Sequence, residues 1–247
     1  MADTQQLDTP QDIPRDLHGL RRSPASLLHE AFVAGSTAGV VELSEVEFLT
    51  MAGVRVDPGS AEGQRIAAVT GGLPSRCGDV AGDGVLEAEP RNGAGTGSNG
   101  TGTGTGTGSI DSTATSSGLA NTSALWLGPT EFLVVAPPEA HETLVPSLVE
   151  ALADGQGQVV DLSANRTTFE LTGPRARAVL EKGCSLDLHP RIHPAGTALS
   201  TEVGGIPVIL WKTAESTYRI LPRASFATFL GHWLLDAMRE YASPEVP

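Results

Sequence analysis

The chain predicts an α+β protein made of two similar β-α-β lobes, with mainly antiparallel sheets and helices packed on one face. Three observations lead there. From 159 to 241, short β-branched and apolar runs alternate with helical stripes in the order β-α-β-β-β-α. From 46 to 162, the order is strand, helix, strand, hairpin strand, helix, strand. No long polar linker parts the two series, so a single unit of two lobes is expected.

Residues 1–22 are polar, carry Pro10 and Pro14, and are expected to be disordered. The α+β domain is expected over 23–247. Ser23-Pro24 suits an N-cap and first helical position for a short helix through Phe32. Val46 to Val56 (VEFLTMAGVRV) is strand-like around Gly53, and Asp57-Pro58-Gly59 is a turn. Ser60 is placed to cap a helix over Ala61 to Val69. Glu62 suits the positive end of its dipole, and Gly63 is expected to loosen its first turn. Gly71-Gly72 and Pro74 end it.

Between 90 and 122 the chain turns to Gly, Thr and Ser with almost nothing to bury. Such a tract does not offset the entropy of ordering, so a disordered surface insertion is expected. It holds a formal GxGxxG at Gly95, Gly97 and Gly100. A phosphate loop needs a strand before it and a helix after it, and neither flank exists, so the match reads as repeat composition.

Ala124 to Leu127 and Phe132 to Ala136 read as a hairpin about Gly128-Pro129. Pro137-Pro138 introduces a helix over Glu139 to Ala153, and Gln158 to Leu162 is the next strand. Thr167 to Leu171 (TTFEL) follows. Thr172-Gly173-Pro174 then offers a capping hydroxyl and a proline for a helix with Ala176, Val179 and Leu180 on one face, ended by Gly183. Strands are expected over Thr197 to Val203, Gly205 to Trp211 and Thr217 to Leu221. Phe226, Phe229, Leu230, Trp233, Leu234, Ala237, Met238 and Tyr241 then form one wide apolar stripe on a terminal helix.

Bulk properties narrow the function. A net charge of −13 repels phosphate backbones, so nucleic acid is not an expected partner. No apolar run approaches the roughly 20 residues of a membrane helix. The polar, acidic N-terminus does not read as a secretory signal. Cys77 and Cys184 sit in no CxxC, which suits a reduced, cytoplasmic setting.

Candidate reactive groups read as structural. His189 and His193 are four apart, but Pro190 and Pro194 forbid the helix that would put two metal ligands on one face. His232 sits beside Trp233 at the edge of the apolar stripe. Cys184 follows a helix and is not at a helix N-terminus, so it reads as an inert small hydrophobe. Asp161 suits turn capping better than general-base work, and Glu170 and Asp187 are isolated. Arg166, Arg175, Arg177 and Lys182 read as a solvated face, with an acidic partner surface as the alternative. Arg21-Arg22 is too small to be a nucleic-acid patch. Trp126, Trp211 and Trp233 are candidates for core or interface. No catalytic, cofactor-binding or metal-ligating residue is assigned.

Three segments carry a family resemblance: DLSANRTTFELTGPRARAVLEKGCSLDLHPRIHP, ALWLGPTEFLVVAP and SFATFLGHWLLDAM. They resemble the gamma subunit of bacterial heterotetrameric sarcosine oxidase, weakly over Ser23 to Glu89 and strongly over Ala124 to Tyr241. That subunit is in turn similar to the folate-binding domain of aminomethyltransferases, whose fold is therefore expected. Gly204-Gly205-Ile206 is similar to the GGI of those enzymes. There acidic residues follow and serve folate chemistry; here Pro207, Val208, Ile209 and Leu210 follow instead.

The resemblance implies a non-catalytic gamma chain of a complex that demethylates sarcosine to glycine and hydrogen peroxide and passes the one-carbon unit to tetrahydrofolate. It implies alpha, beta and delta partner chains. FAD, FMN, NAD, zinc and tetrahydrofolate would belong to those other subunits and none to this one. The alternatives are a free-standing folate-binding or aminomethyltransferase-like protein, and a generic adaptor.

Overall fold

The computed structural model describes residues 21–82, Leu119 and 121–242. A 3-10 turn, Ser26–Leu28, leads into α1 (His29–Gly35). Then come β1 (Glu42–Glu45), β2 (Thr50–Arg55), α2 (Ala61–Thr70), β3 (Val80–Ala81), β4 (Ser123–Gly128) and β5 (Glu131–Ala136). After a second 3-10 turn, Pro138–Glu142, follow α3 (Leu144–Leu152), β6 (Gln158–Asp161), β7 (Phe169–Thr172) and α4 (Ala176–Glu181). The chain continues through β8 (Thr197–Val203), β9 (Ile206–Ala214), β10 (Thr217–Pro222) and α5 (Ala227–Ala242).

Two five-stranded sheets form, in the orders β3-β4-β5-β2-β6 and β1-β7-β10-β9-β8. All their pairings are antiparallel. The alternation of side chains along a strand explains how they stack. On β5, Phe132, Val134 and Ala136 pack with Ile66 of α2 and Leu144 and Leu148 of α3. The intervening Leu133 and Val135 pack with Ile209 and Trp211 of β9 and Leu221 of β10. On the second sheet, Phe169, Leu171, Leu210, Tyr218 and Ile220 meet Phe32, Val179, Leu180, Leu230 and Leu234. The molecule is therefore four layers: helices, sheet, sheet, helices. Each fully buried Leu or Phe contributes about 1.5–3 kcal/mol to this packing.

The α+β class, the antiparallel sheets and the helices on one face of each sheet all match the sequence. The lobe boundaries do not follow chain order. The expected strand over Val46 to Val56 is only partly formed; β2 is its second half. A strand not foreseen, β1, lies before it, and Phe48 at φ 57° turns the chain between the two. β1 leaves the first sheet altogether and pairs with β7, Leu43 opposite Leu171. With α1 it belongs to the second lobe.

Local signals fare better. Ser60 Oγ accepts from Gly63 N at 3.0 Å, and Gly71 closes α2 in the left-handed conformation at φ 75°. Gly63 does more than loosen a turn, because a Cβ there would collide with the Asp57 carbonyl and Pro58. Ser23 is no helix cap; its hydroxyl donates to Glu45 instead. Thr172 is no cap either: it ends β7 and its hydroxyl lies 2.9 Å from that of Thr217. The helix expected over Glu139 to Ala153 is a 3-10 turn and then α3, broken at Thr143.

The terminal helix also needs correction. Leu230, Leu234, Ala237 and Met238 are buried, but Phe226 and Phe229 are exposed, Phe229 to 54 %. The apolar stripe is wider than the layer that covers it. The insertion expected to 122 ends earlier, since Leu119 packs on the first core and Thr122 is fully buried. The rest of that tract, including Gly95, Gly97 and Gly100, lies outside the described residues, as do 1–20.

Candidate functional site

The space between the sheets opens at one end into a cleft of about 280 Å³. Ser123 at the start of β4, Val135 at the end of β5, and Trp211, Thr213 and Arg219 on β9 and β10 line it, with Leu49 and Asn121. Ser123, Val135, Trp211 and Arg219 are there because they sit on the inward-facing positions of their strands. Arg219 Nε donates to Glu170 Oε2 at 3.1 Å across the strand pair. Its guanidinium lies 5.3 Å from the Trp211 ring centroid, a cation–π contact. The Trp211 indole is buried, and its Nε1–H has no acceptor among the described residues.

A second hollow of about 220 Å³ lies beside the β1–β2 turn, lined by Arg21, Arg22, Phe48, Arg166 and Thr168 among others. Arg21 stacks on the Phe48 ring at 4.4 Å. Arg166 donates to the Leu221 carbonyl at 2.8 Å, and burial, with the nearby Arg223 charge, pushes its pKa down. Close by, the Glu45 carboxylate is sealed from solvent. It accepts from Ser23 Oγ at 2.6 Å, from Ala25 N at 3.2 Å and from Thr167 Oγ1, with His29 Nε2 at 2.7 Å. Burial alone would raise its pKa; the hydrogen bonds from Ser23, Thr167, His29 and Ala25 outweigh it and hold the carboxyl below its ordinary range. This cluster ties the first described residues to β1 and to the approach to β7.

A third polar group is buried under α4. His193 is stacked on Tyr218 at 6.4 Å, and Lys212 Nζ lies 5.7 Å from the same ring. The His193 Nε2 and Lys212 Nζ atoms are sealed and make no hydrogen bond among the described residues. Glu215 is 3.7 Å from Lys212 Nζ but sits mostly in solvent. Burial lowers the pKa of Lys212, and burial with the Lys212 charge lowers that of His193. Burial raises the Tyr218 pKa to about 12.

The residues weighed from sequence scatter over the surface and core rather than meeting at one place. Asp161 is a turn group: its Oδ1 accepts from Ser163 N at 2.9 Å and Ser163 Oγ at 2.7 Å. Asp187 does the same for His189 N at 2.9 Å. Cys184 is buried, with Thr201 Oγ1 at 3.9 Å from its sulfur, and Cys77 is exposed. His232 is exposed. Arg177 pairs with Glu181 at 3.6 Å along α4. Lys182 reaches across to α5, to the Ala237 carbonyl and to Glu240 at 2.7 Å, so it is not simply a solvated cation. Gly204 and Gly205, at φ 59° and 77°, form the two-residue turn of the β8–β9 hairpin. Val208, Ile209 and Leu210, which follow that turn, are all buried core. Sequence reasoning missed Glu45 and Lys212. Only the contacts made by distant segments set them apart from ordinary strand charges.

Comparison with known proteins places the whole arrangement. Residues 108–240 match the sarcosine oxidase, gamma subunit family. Sarcosine oxidase subunit gamma of Corynebacterium sp. (strain P-1) is 45 % identical over 228 residues, covering 92 % of this chain and 94 % of that one. The chain belongs to the sarcosine oxidase gamma subunit family. Sarcosine oxidase subunit gamma of Arthrobacter sp. is 44 % identical over 228 residues, covering 92 % of this chain and 94 % of that one. Among solved structures, heterotetrameric sarcosine oxidase from Corynebacterium sp. U-96, in complex with pyrrole 2-carboxylate, contains a chain that superposes with a TM-score of 0.74. Identity there is 42 %, covering 92 % of this chain and all of that one. Aminomethyltransferase T of the glycine cleavage system from Bartonella henselae superposes at a TM-score of 0.57 with 14 % identity, over 89 % of this chain and 58 % of that one. The expected likeness of fold to the aminomethyltransferases is therefore observed. Among the described residues no helix is long and apolar enough to cross a membrane, and no three His, Cys, Asp or Glu side chains group as metal ligands.

Proposed function

We propose that this gamma-family chain is a non-catalytic, structural subunit of a heterotetrameric sarcosine oxidase, in the cytoplasm, held by alpha, beta and delta chains. The complex would demethylate sarcosine oxidatively to glycine and hydrogen peroxide and hand the one-carbon unit to tetrahydrofolate. FAD, FMN, NAD, zinc and the folate would sit on the other chains. The observation that carries this is the match to a chain of a heterotetrameric sarcosine oxidase along all of that chain's length. The buried apolar run Val208 to Leu210 supports a scaffold role, because no acid stands there to serve folate chemistry. We also propose that 23–247 forms one domain. The common core between the two sheets supports that unity.

Exposed Phe226, at the end of the 3-10 turn before α5, and Phe229 on α5 supply apolar surface of the kind that subunit contacts bury. Affinity isolation of the tagged chain from its own host tests the proposal. Yellow flavin absorbance and sarcosine-dependent peroxide formation are expected in the eluate. A chain that emerges alone and monodisperse overturns it.

A further inference from the structure

The mouth between the two sheets is a donor-rich site without an assigned occupant. Trp211 forms part of its wall, with its Nε1–H unpaired. An indole nitrogen can only donate, so neither rotation nor a change of tautomer relieves it. Arg219 commits Nε to Glu170 and its face to the Trp211 ring. Its terminal NH1 and NH2 groups make no hydrogen bond to the described residues. Those groups form a fork whose geometry fits a carboxylate. Asn121, Ser123 and Thr213 add amide and hydroxyl groups around it, while Leu49 and Val135 give an apolar wall. Among the described residues no carboxylate lines the cleft, and Glu170 meets Arg219 only at Nε. At about 280 Å³ it falls just below the range of drug-sized pockets.

We propose that this cleft binds a small organic monocarboxylate, of amino-acid size or smaller, between the Arg219 fork and the Trp211 N–H. The carboxylate meets the guanidinium fork with its two oxygens, one of which also accepts the indole hydrogen. Its short apolar end lies on Leu49 and Val135. The indole nitrogen is sealed from water when the cleft is empty. An acceptor that reaches it, by a side-chain rotation at the wall, therefore displaces no existing hydrogen bond. The site is distinct from the scaffold role proposed above and stands or falls separately from it.

Indole N–H resonances of the ¹⁵N-labelled full chain test the proposal at the atom concerned. The three tryptophans give three side-chain signals, and Trp211→Phe assigns its own by deletion. Titration with acetate, pyruvate and benzoate is compared with acetamide and sodium chloride. A saturable downfield shift of the Trp211 signal with at least one carboxylate, and not with acetamide or chloride, is expected, while the Trp126 and Trp233 signals stay in place. Calorimetry should show that carboxylate bound at least ten-fold more weakly by Trp211→Phe and by Arg219→Lys. A Trp211 signal that stays still through tens of millimolar carboxylate overturns the proposal, as does one that moves equally with acetamide. A signal that moves only when partner chains dock overturns it too, because the cleft then belongs to an interface.

Discussion

At Glu45 a single carboxylate holds together Ser23, Ala25, His29 and Thr167, which no local pattern would connect. Glu45→Gln sets an amide N–H₂ against hydroxyl and backbone donors. It should cost about 2–3 kcal/mol at neutral pH, read from denaturant midpoints. The sign with pH follows from the lowered pKa of the folded state. The carboxylate's contribution is present above the unfolded value of about 4.3 and is lost as pH falls through the lower folded value, so the gap between Gln and wild type should close in acid. Lys212 behaves oppositely. Its folded pKa lies below the unfolded value, so the unfolded chain holds the proton more tightly. Wild-type stability should therefore rise as pH climbs toward about 10.4, relative to a flat Lys212→Met reference. At neutral pH, Lys212→Met should leave the thermal midpoint unchanged or raise it, since a buried ammonium without hydrogen bonds is replaced by a side chain of similar volume.

At the scale of one element, α2 shows propensity and packing pulling against each other. Alanine in place of a helical glycine ordinarily gains up to about 1 kcal/mol. Gly63→Ala should instead lose more than about 2 kcal/mol, because its methyl has only the Asp57 carbonyl and Pro58 to meet. Ser60→Ala should lose about 1 kcal/mol with its cap. Thermal melts of the two variants against wild type check both signs. α2 was legible in the sequence because its start, its end and its cap are local. The strands β8 to β10 were legible for the same reason, with β-branched runs between turns. β1 was not, since ELSE has a single buried apolar residue and becomes a strand only through β7. The exposure of Phe226 and Phe229 was illegible because periodicity reports the width of an apolar face and says nothing of what lies against it. The Trp211 cleft was invisible for a related reason: an unpaired N–H is a property of neighbours brought from several strands.

At the scale of the molecule, the four layers leave the exposed phenylalanines outside every internal core. Phe226→Ser together with Phe229→Ser should shift the isolated chain's stability by no more than about 0.5 kcal/mol, the range of ordinary surface substitutions. The same pair should sharply lower the recovery of flavoprotein in affinity isolation from the host. Equal recovery would place the contact surface elsewhere.

The pairing of Leu43 with Leu171 joins positions more than half the chain apart. During synthesis on the ribosome, α1 and β1 therefore emerge long before the strand that completes them. Leu28, Phe32 and Leu43 must wait uncovered while the first sheet, whose strands all lie between them and β7, is already able to close. A nascent chain stalled after β6 should consequently offer a finished lobe trailing a greasy, unpartnered leader, a natural client for chaperones. Ribosome-bound intermediates of that length should show early protease resistance over the first sheet and late protection of the leader.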